Sequence, residues 1–309
     1  NTLGEIKGCY SSDSEDRNPQ QTYLTGWYKL NETSGNSTTD SSTNSNTGTL
    51  YNFDLTKCWV QGKINNGLDF DGVDSYVSLG NGTTISNIGG TSFTVAAWVK
   101  LVTNVTTSAS YDIISNNGGT TQGTYIFTLI DSGGNDTVLA RGTIYTSGGA
   151  QTVTGATKLN DSAWHHIAFV LNTSGTGLVI YVDGAKDNTG TVTYSGTLAA
   201  LTANVYLGER SAGTTNNFRG TMDDVRVYNT ALTSTEITTL YNNVNQVRGK
   251  LVMGINDGSG TISDINSFTI DNKGLIENFG VRGSAPTSVT GSLTSSGTSV
   301  SGSSTSFTS

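Results

Sequence analysis

Lys63-Ile-Asn-Asn-Gly-Leu-Asp-Phe-Asp-Gly-Val-Asp-Ser-Tyr-Val-Ser-Leu-Gly80 is the stretch that decides how this chain folds. Leu68 and Phe70 alternate with Asp69 and Asp71, a turn containing Gly72 follows, and Tyr76, Val77 and Leu79 open a second extended run. Alternation of period two puts the apolar side chains on one face, so the spacing predicts two strands joined as a hairpin. Asp69 and Asp71 share a face beside the turn and read as turn-capping or surface carboxylates.

Further strand patterns flank it. Tyr23-Leu-Thr-Gly-Trp-Tyr-Lys-Leu30 precedes it, and Phe93-Thr-Val-Ala-Ala-Trp-Val-Lys100 follows, with Phe93, Val95, Ala97 and Val99 on one face and Trp98 on the other. Additional strands are expected at Asp112–Ser115, Thr124–Ile130, Thr137–Tyr145, Trp164–Leu171, Leu178–Val182 and Val205–Leu207, and one runs from Phe218 to Asn229. Asp183-Gly184 supplies the positive-φ pair of a tight hairpin. Thr233-Ser-Thr-Glu236 is a capping box, and Ile237, Leu240 and Tyr241 fall on one face of a short helix.

Several of these segments, in this order, resemble laminin G-like, concanavalin A-like jelly rolls. Gly67 to Val77 is similar to Gly-x-Leu-x-Phe-Asp-Gly-x-Asp-x-Tyr-Val of that family, and Asp40-Ser-Ser-Thr-Asn-Ser-Asn-Thr-Gly48 to its Asp-x-Ser-Gly-Asn-x-Asn-x-Gly loop, with Ser-Thr replacing Ser-Gly. Trp164-His-His-Ile-Ala, Leu178-Val-Ile-Tyr-Val-Asp-Gly and Thr221-Met-Asp-Asp-Val-Arg-Val-Tyr-Asn complete the match. The resemblance implies an all-β antiparallel sandwich jelly roll with one short helix over residues 22–243. An N-terminal arm (1–21), an additional β segment (244–282) and a Ser/Thr/Gly-rich tail (283–309) lie outside it. The tail's composition predicts disorder or O-glycosylation, although Val289 and Leu293 leave room for a docked strand.

The resemblance also implies one structural Ca²⁺, carried over to Asp40, Asn44, Gly48 and Asp223. Oxygen ligands suit that ion, and an Asp40 that merely caps its own loop is the competing reading. Some relatives hydrolyse glycans with carboxylates at Glu-x-Asp spacing, which this chain lacks; its Glu stand apart at 5, 15, 32, 209, 236 and 277. His165 and His166, adjacent in a strand, point to opposite faces and cannot form a joint relay. No catalytic residue is assigned. Trp27, Trp59, Trp98 and Trp164 are allotted to strands and core; Tyr111, Tyr145 and Tyr194 are the less committed aromatics, and no sugar site is named from them.

Composition narrows the partners. Charged residues make up 13% of the chain and the formal charge is -8, which gives no footprint for phosphates, so nucleic acid is excluded. No apolar run approaches membrane-spanning length, so no membrane insertion is expected. A start at Asn1 fits a processed, secreted protein, as it would a trimmed one. Cys9 and Cys58 read as one disulfide, worth about 4 kcal/mol by chain entropy, against the alternative of two separate buried thiols. Asn31, Asn36, Asn81, Asn104, Asn135, Asn160 and Asn172 lie in glycosylation sequons, which imply either a glycan-coated surface or a composition rich in Asn, Ser and Thr. These features favour a secreted, non-enzymatic structural or adhesive surface protein, self-associating into a filament by exchange of a terminal strand. The alternatives are a calcium-dependent glycan-binding module and a glycan-active enzyme.

Overall fold

The computed structural model describes residues 8–9, 19–102, 110–116, 119–131, 137–188, 192–210, 216–242, 250–251, 265–270, 276–281, 292–296 and 299–303. The chain divides into two compact units, Asn18–Tyr241 and a second made of Asn1–Arg17 with Asn242–Ser309.

The larger unit is an antiparallel β-sandwich of two eight-stranded sheets. The front sheet runs, in spatial order, Gly149–Thr154, Val138–Thr146, Tyr125–Asp131, Ser110–Asn116, Val205–Leu207, Tyr76–Gly80, Gly48–Tyr51 and Ser37–Thr38. The back sheet runs Ala185–Lys186, Gly177–Val182, His165–Asn172, Phe93–Leu101, Arg219–Tyr228, Asn66–Asp71 and Trp59–Gln61, with Leu24–Tyr28 also pairing to Arg219–Tyr228. One core lies between them, with Phe93, Val95, Ala97 and Val99 facing Tyr125, Phe127 and Leu129. Gly142 of the front sheet is required by this packing, because a Cβ there would collide with the Phe169 ring of the back sheet.

The deciding stretch departs from expectation in one respect. Asn66–Asp71 and Tyr76–Gly80 are strands, but they belong to different sheets, so the link is an arch rather than a hairpin. Leu68, Phe70, Val77 and Leu79 all still enter the one core, from opposite sides. Stacked sheets are about 10 Å apart, and the four residues Gly72–Ser75 can reach that far. Asp71 holds the arch closed, its Oδ1 accepting from Val73 N at 2.8 Å and Ser75 Oγ at 2.9 Å. Periodicity records which side chains enter the core but not which sheet supplies each strand, so the two topologies read alike.

The expected turn at Asp183-Gly184 is a true hairpin, with φ of 49° and 80°. The capping box forms as well: Thr233 N donates to Glu236 Oε2 at 2.7 Å and Glu236 N donates to Thr233 Oγ1 at 3.3 Å. It opens the helix Ser234–Asn242, which lays Ile237 and Leu240 on the outer face of the back sheet against Ala96, Ala168, Val179 and Tyr228. A second helical turn, Thr83–Ser86, is shorter than any the sequence pattern signalled.

In the smaller unit Gly8–Cys9 pairs with Lys250–Leu251, and Ile265–Ile270 pairs with Ile276–Val281. Ser292–Ser296 pairs with Ser299–Ser303, so this part of the Ser/Thr/Gly-rich tail is a hairpin and not the expected disordered segment. Leu3, Ile6 and Tyr10 of the N-terminal arm, and Val289 of the tail, lie outside the described residues.

Candidate functional site

The outward face of the front sheet carries a row of tyrosines. Leu50, Val77 and Leu207 point into the core, so their neighbours Tyr51, Tyr76 and Tyr206 point out. Tyr51 and Tyr76 are register partners whose rings stack at 5.0 Å and 12°, and Tyr76 meets Tyr206 edge-on at 5.7 Å. Tyr51 is 45% exposed, so the row offers a ring face to solvent. At its inner end the Tyr206 hydroxyl accepts from Asn204 Nδ2 at 3.1 Å.

Polar groups adjoin the row. Asp112, between the core residues Tyr111 and Ile113, also faces outward, and Arg210 grips it with Nε to Oδ2 at 2.9 Å and Nη2 to Oδ1 at 3.1 Å. Burial raises the Asp112 carboxyl, and the Arg210 charge works against that rise. The Arg210 side chain is 38% exposed while it neutralises Asp112. Glu209 is fully buried beside the row; the Tyr76 hydroxyl is raised first by burial and then by the Glu209 charge. The exposed face of Tyr51, on a sheet surface that also carries polar side chains, suits a ring with one apolar face and peripheral hydroxyls.

The calcium set fares differently. Both oxygens of Asp40 are occupied by N–H donors: Oδ1 by Trp27 N at 2.9 Å and Ser42 N at 2.8 Å, Oδ2 by Asn46 N at 2.8 Å and Asn46 Nδ2 at 3.3 Å. Asn44 Nδ2 donates to the Leu24 and Thr25 carbonyls, and Gly48 is packed under Thr38 and Val77. Asp223 is engaged with a separate loop, accepting from Ile64 N. Asp40 therefore caps its own loop, a donor arrangement that does not fit a cation, and no group of three acidic, His or Cys side chains among the described residues could hold a metal.

The other expected residues are also located. His165 lies between Asp183, at 2.9 Å from Nδ1, and Asp161, at 3.1 Å from Nε2, whereas His166 packs on Trp98 across the back sheet. Tyr111 is a core residue and Tyr194 packs against the core, which removes both as platforms. Trp27 and Trp98 sit on the outer face of the back sheet, not in the interior. Cys58 is buried with a free thiol, and the Cys9 side chain lies outside the described residues. Asn36 and Asn81 are exposed, and Asn31 and Asn172 half-buried. Asn160 is only 7% exposed and its Oδ1 accepts from Val138 N, so it is a structural amide rather than the expected glycan acceptor. Asn104 and Asn135 lie outside the described residues.

The tyrosine row escaped sequence reading because its members come from strands far apart in the chain. The one available signal was their placement, each beside a core-facing aliphatic residue.

Residues 71–238 match the model of the concanavalin A-like lectin/glucanases superfamily. Among solved structures, the chain is similar to domain 4 of AbnA, an extracellular GH43 arabinanase from Geobacillus stearothermophilus in complex with arabinotriose. The two are 21% identical with a TM-score of 0.51, covering 71% of this chain and 98% of that one. The binding domain of botulinum neurotoxin serotype D/C is 15% identical with a TM-score of 0.53, covering 74% and 54% respectively. Trypanosoma rangeli sialidase, in complex with 2,3-difluorosialic acid, is 21% identical with a TM-score of 0.50, covering 72% and 33%. At these identities the likeness is one of fold. No curated protein matches the chain. No helix among the described residues is long and apolar enough to cross a membrane.

Proposed function

The chain belongs to the concanavalin A-like lectin/glucanase superfamily, and from that premise we propose that it is a non-enzymatic glycan-binding module acting outside the cell, with its site on the outer face of the front sheet. The observation that carries this reading is the exposed Tyr51 ring stacked on Tyr76, on the sheet face that also holds Tyr206 and the Asp112–Arg210 pair. A sugar ring stacks on the open face of Tyr51, which Tyr76 backs from the other side. Two carboxylates at this face support the non-enzymatic reading: Asp112 is held bidentately by Arg210, and Glu209 is sealed from solvent. Neither is presented as the acid or nucleophile that glycoside cleavage needs.

An adhesive role is compatible with this site, since a surface protein can adhere through glycans. The strand-exchange filament is set behind it, because Ser292–Ser296 and Ser299–Ser303 satisfy each other's backbone in cis.

A glycan array followed by titration calorimetry tests the reading, with arabinotriose as the first probe because it is the ligand in the AbnA domain complex. Tyr76→Ala is expected to weaken binding roughly fivefold, from the loss of about 1 kcal/mol of aromatic contact. Tyr51→Ala is expected to do the same without lowering Tm. Absence of any binding glycan, or full affinity in Tyr51→Ala/Tyr76→Ala, would overturn it.

A further inference from the structure

At the first residue of its strand, His165 carries a carboxylate on each ring nitrogen. Asp183 Oδ2 lies 2.9 Å from Nδ1, and Asp161 Oδ1 lies 3.1 Å from Nε2. The two acids come from separate segments. Asp161 belongs to the turn that leads into His165–Asn172, and Asp183 to the hairpin turn after Gly177–Val182. The ring therefore ties a turn to a hairpin. His165 is the register partner of the core residue Val99, so its side chain points to the inner side of the sheet, whereas the adjacent Lys100 points to the opposite face. The charged groups that face the ring are Asp161 from the turn and Asp183 from the hairpin.

A neutral imidazole has one N–H and can donate to only one of two carboxylates, whereas the imidazolium has two and satisfies both. The pair of contacts therefore belongs to the charged ring. Its two sides are held unequally. Asp183 is fixed, because its Oδ1 accepts from His166 N at 2.9 Å and its hairpin is fastened to the terminal helix by Thr238 Oγ1, which donates to the Gly184 carbonyl at 2.9 Å. The Asp161 side chain is 49% exposed and accepts from Ala163 N, at 2.8 Å, within its own turn. Ser162 of that turn is held at φ 66°, a left-handed conformation that non-glycine residues seldom adopt.

We propose that His165 is a proton-operated latch on the Asp161–Ala163 turn: the charged ring holds the turn to the Asp183-Gly184 hairpin, and the neutral ring keeps its N–H on Nδ1 for Asp183 and lets Asp161 go. The Nε2 proton passes to solvent, and water takes the place of the ring at the Asp161 carboxylate. The turn is closed on the acid side of this titration and released on the alkaline side. Both carboxylates favour the charged ring, which moves the release above the ordinary histidine range. The opening is confined to the turn, since Leu159 N is bonded to the Val138 carbonyl before it and His165–Asn172 is paired in its sheet after it.

Nitrogen NMR of the full chain through the His165 titration tests this, together with amide hydrogen exchange of Ser162 and Ala163 corrected for the intrinsic effect of pH. Expected below the titration are protons on both ring nitrogens and slow exchange in the turn. Above it, the proton is expected on Nδ1 with Nε2 bare, and the corrected exchange of the turn rises several-fold while that of Ile167 and Phe169 does not. Asp161→Asn supplies an amide that can donate to the bare Nε2, so in that variant the step in turn exchange is expected to vanish while the Nδ1–H form persists. A neutral ring with its proton on Nε2, or turn exchange that is unchanged across the titration in the wild-type chain, would overturn the latch.

Discussion

Asp223 shows how a single buried carboxyl sets a pH dependence. Burial, and then the neighbouring Asp224 charge, push it up to about 8 against the pull of the Ile64 N–H. The folded state therefore binds this proton more tightly than the unfolded chain, so stability falls as pH rises from about 4 towards 8. Asp223→Asn, which cannot ionise, is expected to match wild type near pH 4. At about 1.4 kcal/mol per pKa unit it should exceed it by a few kcal/mol at pH 9. Urea midpoints at both pH values read this, and a variant no more stable than wild type at pH 9 would refute it. His165 is raised first by its hydrogen bond to Asp183 and also by Asp161, against the opposing effect of burial. Its contribution is fully present below the unfolded value near 6.5 and is lost as pH climbs through the folded one. The stability gap between wild type and His165→Gln should thus be wider at pH 5.5 than at 8.5; equal gaps would show that the clamp contributes nothing. Asp71 was legible as a turn cap because its partners are two to four residues away. The role of Asp223 was not, because Ile64, in a loop, and Trp98, on the neighbouring strand, lie far from it in the sequence.

Among the elements, those with local causes were read correctly. The terminal helix follows from the reciprocal Thr233–Glu236 bonds and the Ile237–Leu240 spacing. Thr233→Ala is expected to cost about 1 kcal/mol, visible as a lower urea midpoint; an unchanged midpoint would mean that packing alone holds the helix. The arch at Gly72–Ser75 shows the opposite case. Its residues satisfy a hairpin equally well, and only pairing with Gly48–Tyr51 and Arg219–Tyr228 assigns its strands to separate sheets. Gly142 belongs at this scale too, because the close approach of Phe169 makes the strand intolerant of any side chain there. Gly142→Ala is expected to destabilise by about 1–3 kcal/mol through overpacking.

At the scale of the whole molecule, the jelly roll was legible because its core-facing residues and turn motifs are written in order along the chain. The proposed glycan site was not, because the tyrosine row exists only once Gly48–Tyr51, Tyr76–Gly80 and Val205–Leu207 lie side by side. The calcium expectation followed a loop motif whose Asp40 turned out to be saturated by N–H groups. Chelator is accordingly expected to leave both Tm and glycan affinity unchanged, and a drop of several degrees in Tm would return a cation to that loop. The claim on which the rest depends is that sugars bind across the front sheet. A crystal structure of the chain with its highest-affinity array glycan tests it most directly: the account predicts a sugar ring stacked on the open face of Tyr51, and a sugar bound at any other surface, with that face bare, would contradict it.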